Sequence, residues 1–299
     1  MGYSHIPNID SHIRRPSINK RFHLNNHGFI GKDFSIIKPS GELRIAIVGN
    51  SLTESIWYNS EENYVMKLQK QFESNGYRNV NLINCSMGGE NKDYRNYLHI
   101  KHNVLKFHPD VILFHVRIPF HNDNEVRENY RGYMIRYAKD TKGSREDAIQ
   151  KVEKIYGEKS FRFFYDISYI FRAYCKRYNE THWGEFSESI GIYRNNCAST
   201  PDILDYSYSL QTSIKILSDL RISLKNDNID LIVWPLRLDD EIAKHLTENN
   251  ISFISPDFQY DDSMIYEHDG HLNEKGHDTV SKTLYPLLQK KLQEMNHIE

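Results

Sequence analysis

Three side chains of this 299-residue sequence can be combined into one reaction: Ser51, Asp269 and His271. A serine hydroxyl is a weak nucleophile until a base takes its proton, and the base needs a third group to fix its tautomer and stabilise the imidazolium. Ser51 lies in Gly49-Asn50-Ser51-Leu52-Thr53, directly after a compact apolar run. Asp269-Gly270-His271 separates carboxylate and imidazole by one glycine, so that a tight loop can fold one back towards the other. Neither piece is specific by itself, because a serine after a strand is common and an isolated Asp-Gly-His usually makes a turn. His268 and His277 are rivals to His271; the first of them, with Asp269 and His271, offers metal-binding atoms but no identifiable fourth ligand to close a site. The expectation is an active centre without metal or organic cofactor.

These residues need a scaffold that brings distant loops together. Leu43 to Val48 reads as a buried parallel strand that ends at Ser51. Val65, Leu68 and Phe72 fall on one helical face, with Ser60 as expected cap and Gly76 as stop. A strand at Val80 to Asn84, a helical pattern through Tyr94, Leu98, Lys101 and Leu105, and a strand at Asp110 to Val116 follow. Farther on, a helix carries Leu210, Ile214, Leu217, Leu220 and Leu224. It is followed by strands at Ile229 to Trp234 and Ile251 to Ser255, with a short helix near Glu241 to Thr247 between them. A last helix starts near Glu274 behind an Asn273 cap. Strands alternating with helices predict a flavodoxin-like three-layer α/β/α sandwich with a five-stranded parallel sheet, whose ligand crevice lies outside the C-terminal ends of the strands. Residues 1–41 read as an N-terminal arm and 42–299 as one domain. That domain carries a helical insertion at about 123–204, with segments around Ala148-Val152-Ile155 and Phe161 to Tyr178.

In this order and at these positions the motifs resemble the SGNH/GDSL hydrolase superfamily of serine esterases and acyltransferases, over roughly residues 22–292. Gly49-Asn50-Ser51-Leu52 matches its G-D-S-L block with Asn for Asp, and Asn26-His27-Gly28-Phe29-Ile30-Gly31 is similar to the Asn-x-Gly-Phe-x-Gly lead-in of many bacterial members. The resemblance implies Ser51 as nucleophile, His271 as base and Asp269 as its acidic partner, here in an Asp-x-His rather than an Asp-x-x-His spacing. It also implies that the N–H groups of Ser51 and Gly88 line an oxyanion hole. The third block departs from the pattern: Asn122-Asp123 falls about three positions late after the strand begun by Pro109-Asp110. Either a lengthened loop still lets Asn122 donate to the oxyanion, or the donor is lost or replaced, Arg117 being a candidate. Asn50 and Arg117 are further expected to contact substrate.

Bulk composition narrows the field around this reading. The net charge is −2, which gives no field to steer the chain to nucleic acid or to an anionic membrane. The three cysteines, Cys85, Cys175 and Cys197, show neither disulfide-framework nor zinc spacing and fit reduced thiols. No apolar run begins the chain or reaches the length of a membrane span, so a cytoplasmic protein is expected. The substrate expected is a small-acyl ester, such as an O-acetyl group of a saccharide or metabolite, since no long apolar lid helix is visible. Two alternatives share the fold: an O-acyltransferase with the same Ser-His-Asp chemistry, and a catalytically silent binding module.

Overall fold

The computed structural model describes residues 5–15, 18–88, 93–120, 125–130, 133–138, 145–147, 149–150, 206–256, 261–267 and 270–299. Strands β1 (Ile9–Arg15) and β2 (Ile18–Leu24) form a seven-residue antiparallel ladder in the N-terminal arm. Next come β3 (Leu43–Val48), α1 (Ser51–Glu54), α2 (Tyr64–Ser74), β4 (Val80–Asn84) and α3 (Asp93–His99). After one π turn and one 3-10 turn, β5 (Val111–Val116) completes the first half of the sheet. An antiparallel pair β6 (Glu125–Tyr130) and β7 (Tyr133–Ala138) follows, then α4 (Tyr206–Asn226), β8 (Asp230–Pro235), α5 (Asp240–Glu248), β9 (Ser252–Phe253) and α6 (Glu274–Glu294). The chain divides into two compact units, one of Met1–His121 with Ser207–Glu299 and one of Asn122–Tyr206. Within the second unit the β6–β7 ladder stands where the sequence suggested only helices and loops; Ala148, Val152, Ile155 and the Phe161 to Tyr178 segment lie outside the described residues.

The central sheet is parallel with strand order β4-β3-β5-β8-β9, the doubly wound order in which the first strand lies inside the sheet. Every residue of β3 and β5 is buried, as expected of strands covered by helices on both faces. Alternation along the strands sorts the core into two layers. Ala46, Val48, Ile112, Phe114 and Val233 point to one side with Leu217 and Leu220 of α4. Ile45, Ile47, Leu113 and Ile232 point to the other with Leu68 and Phe72 of α2 and Val280, Leu284 and Leu288 of α6. This is the three-layer α/β/α sandwich read from the sequence.

Local chemistry sets the ends of the elements. Asn63, not Ser60, caps α2, its side chain accepting from the Met66 N–H at 3.0 Å. Ser60 is turned instead to β2, where its hydroxyl accepts from the His23 N–H at 2.6 Å. Both are good capping residue types, and the three-residue difference is decided by the tertiary contact to the arm. Asn273 caps α6 as expected, accepting from the Gly276 N–H. Gln69 of α2 reaches the outer edge of β4, donating to the Val80 carbonyl at 2.9 Å and accepting from the Leu82 N–H at 2.8 Å.

Arg44 of β3 is 1% exposed, and its Nε and Nη1 are both employed. Nε donates to Glu42 at 2.6 Å, and Nη1 donates to the carbonyls of Phe107 at 2.7 Å, Ser35 at 3.0 Å and Ile36 at 3.3 Å. It thus ties the segment leading into β3 to the turn leading into β5. Removing it strands a carboxylate and three carbonyls away from their donor. Arg44→Ala is therefore expected to lower stability by about 3 to 5 kcal/mol, read as a shifted denaturant midpoint at constant m value.

Candidate active site

The sharp end of β3 is built by lack of room. A Cβ on Gly49 would stand 2.8 Å from Thr53 Cβ and 3.1 Å from His115 Cβ, so only glycine lets the chain turn here. Asn50, buried, then caps α1 by accepting from the Leu52 N–H at 3.0 Å. The Thr53 and Glu54 N–H groups bond back to the Asn50 carbonyl, and Ser55 closes the turn in the left-handed region. Ser51 is the first residue of this turn, half-buried, just beyond the C-terminal end of the inner strand β3.

The loop after β4 is held against that turn. Asn84 donates through Nδ2 to the Thr53 carbonyl at 2.9 Å and accepts through Oδ1 from the Ser86 N–H at 3.1 Å, joining the two loops through one side chain. Cys85 N–H and Ser86 Oγ both bond the Ile47 carbonyl of β3. Gly88 is brought directly onto Ser51: a Cβ there would lie 3.4 Å from Ser51 Cβ and would overlap Glu54 Oε2. A side chain at position 88 would have to displace the Glu54 carboxylate, and the glycine present brings no side chain of its own between its backbone and the serine. Cys85 is fully buried, and burial pushes its thiol far up, away from thiolate chemistry. His99 fixes the same loop from α3, its Nε2–H donating to the Cys85 carbonyl at 2.9 Å.

On the other side, the His271 ring packs on Trp57 with centroids 4.9 Å apart, and Trp57 lies on the segment that leaves α1. The Tyr266 N–H donates to the His271 carbonyl, and a β-bridge between Ile265 and Leu272 closes the loop that carries it. Arg117 is half-buried just beyond the end of β5. Asp269, His268 and Asn122 lie outside the described residues. His277, the other rival histidine, is buried between the Tyr58 and Tyr64 rings, and its Nδ1 accepts from the Tyr64 N–H.

Two groups of the site escaped the sequence analysis. Thr53 Oγ1 and His115 Nδ1 share a hydrogen bond of 2.7 Å beneath the turn that carries Ser51, and His115 stacks on Trp234 at 3.9 Å. Glu54, buried beside Gly88, meets His5 of the arm. A histidine in the middle of a strand pattern and a glutamate one turn after the serine were the only signals for them. Among the described residues no three His, Cys, Asp or Glu side chains gather as a metal site requires, and no helix is long and apolar enough to cross a membrane.

No protein-family profile matches the chain, and no curated protein sequence matches it significantly. Among solved structures it is similar to the psychrotrophic esterase EstA of Pseudoalteromonas sp., with a TM-score of 0.44 and 11% identity over 84% of this chain and 100% of that one. A GDSL-like lipase of Bacteroides thetaiotaomicron gives 0.40 and 13% over 86% and 93% of the two chains. The acetyl xylan esterase AlAXEase gives 0.41 and 15% over 81% and 98%.

Burial holds His115 and His277 neutral, each lowered to about 3. An unfolded histidine takes up a proton near pH 6.5. As pH falls from 6.5 towards 3 the unfolded chain thus binds protons that the folded one refuses, and stability is lost. His277→Asn, which keeps an acceptor for the Tyr64 N–H, is expected to make the acid limb of the stability curve shallower by about 1.4 kcal/mol per pH unit. Denaturant melts from pH 7 to 4 measure it.

Proposed function

We propose that this chain is a serine ester hydrolase of the SGNH/GDSL type, acting through an acyl-enzyme on a small-acyl ester such as an O-acetyl group of a saccharide or metabolite. The observation that carries this reading is Ser51 at the C-terminal end of the inner strand β3, in a turn too tight for a side chain at position 49, with the Gly88 backbone laid against it. On this reading the Ser51 hydroxyl attacks the incoming carbonyl, and the N–H groups of Ser51 and Gly88 serve as the oxyanion donors.

In the proposed mechanism His271 takes the Ser51 proton as Oγ bonds to the ester carbonyl carbon, while Asp269 holds the imidazole and stabilises its charged form. The N–H groups of Ser51 and Gly88 meet the developing oxyanion. Collapse expels the alkoxide, which His271 protonates, leaving Ser51 acylated. Water, deprotonated by His271, then attacks the acyl carbon and releases the acid and the free serine. An acceptor hydroxyl in place of that water turns the same steps into acyl transfer. Asn50 contributes by shaping the turn, and Arg117 by its place at the mouth of β5.

A fluorophosphonate probe tests the nucleophile. Stoichiometric labelling of the wild type at Ser51 is expected, lost in Ser51→Ala, together with at least about a thousandfold of turnover on an activated ester. His271→Ala should lose a similar factor. Folded wild-type protein that takes up no label supports the silent binding module instead.

The third oxyanion donor has its own test. If Asn122 supplies it, Asn122→Ala lowers kcat by roughly a hundredfold with KM little changed. If Arg117 has replaced it, Arg117→Ala shows that pattern and Asn122→Ala does not. Unaltered kcat in both variants leaves the hole to the Ser51 and Gly88 N–H groups.

A further inference from the structure

We propose that His5, on the N-terminal arm, is a positioning residue of the Ser51 site: it holds the Glu54 carboxylate against which Gly88 is set. The inference rests on the reading of Ser51 as nucleophile and Gly88 as oxyanion donor. Nε2 of His5 lies 2.5 Å from Oε1 of Glu54, with the glutamate side chain 4% and the histidine side chain 16% exposed. A carboxylate taken so far out of water is costly unless donors meet it. Among the described residues, His5 is the side chain that does so.

The second oxygen of the same carboxylate has a different neighbour. Glu54 Oε2 fills the space into which a side chain at position 88 would project, and Ser51 Cβ lies 3.4 Å from the same point. Glu54 thus acts as a stop for the Gly88 backbone, and its own place is fixed at one end by α1 and at the other by His5. Its charge matters as well. A carboxylate beside the proposed oxyanion position repels the negative charge that develops there. A donor at Oε1 draws that charge to the far side of the carboxyl group.

The arm is fastened so as to deliver this donor. A Cβ on Gly28, which has a φ of 81°, would stand 2.6 Å from the His5 carbonyl oxygen, so the arm lies directly on the glycine of the Asn-x-Gly-Phe lead-in. Asn25 shapes that turn, its Oδ1 accepting from the His27 and Phe29 N–H groups at 2.9 and 3.0 Å. Its carbonyl accepts from the Asn8 N–H at 3.0 Å, three residues beyond His5. The lead-in motif, which plays no part in the chemistry itself, is the seat on which His5 is presented to Glu54.

The test uses the full chain, an activated acetyl ester, the rate of fluorophosphonate labelling, and the melting temperature of each variant. His5→Ala is expected to lower kcat and the labelling rate about ten- to a hundredfold with KM little changed. His5→Gln, which keeps an N–H donor, and Glu54→Gln introduced into His5→Ala, which removes the charge but keeps the shape, should each restore most of the loss. A His5→Ala variant that reacts at the wild-type rate overturns the proposal and leaves the nucleophile standing. So does a loss that neither second change restores, which marks His5 as merely structural. A wild type that is not labelled at Ser51 overturns both readings together.

Discussion

Everything in this site depends on β3 lying inside the sheet with β4 paired on one side and β5 on the other. Parallel pairing puts the C-terminal ends of all three strands at one edge. Residues far apart in sequence, Ser51, Gly88 and Arg117, are thereby delivered to the same rim before any side chain has made a contact. Had the first strand been an edge strand, only one neighbouring loop could have met the serine. The fully buried β3 and β5 hold this arrangement by burial on both faces, and Arg44 pins their entry points together at the opposite end.

On that rim the decisive term is steric rather than electrostatic. Gly49 and Gly88 are sites where backbone meets neighbouring atoms with no space for a methyl group. The first forces the abrupt turn that exposes Ser51, and the second lets a peptide unit approach it. Asn84 supplies what the close packing lacks, a directional bond from one loop to the other.

The scaffold was legible in the sequence because it is written in local patterns. Apolar runs such as Leu43 to Val48 and Val111 to Val116 carry the strands, and an Asn cap before Glu274 marks a helix start that the fold keeps. What was not legible depends on long-range contact. Ser60 has the chemistry of a cap, and only its bond to His23 across the arm leaves that role to Asn63. The β6–β7 ladder pairs Arg127 with Arg136 and carries Glu125 and Glu128 besides among its twelve residues, so no apolar alternation announced it. Within the site, Ser51 and Gly88 could be read from their motifs. The pairs Thr53 with His115 and His5 with Glu54 join residues separated by 62 and 49 positions, a separation that no spacing rule connects.

Gln69 gives the sheet a property that has nothing to do with catalysis. β4 is the terminal strand, and a terminal strand offers unpaired N–H and carbonyl groups to any other extended chain. The Gln69 amide answers the Val80 carbonyl and the Leu82 N–H with the donor and acceptor that a further strand would have provided. One side chain, projected from a helix that also packs the core, thus stands in for a neighbouring strand at this margin of the sheet.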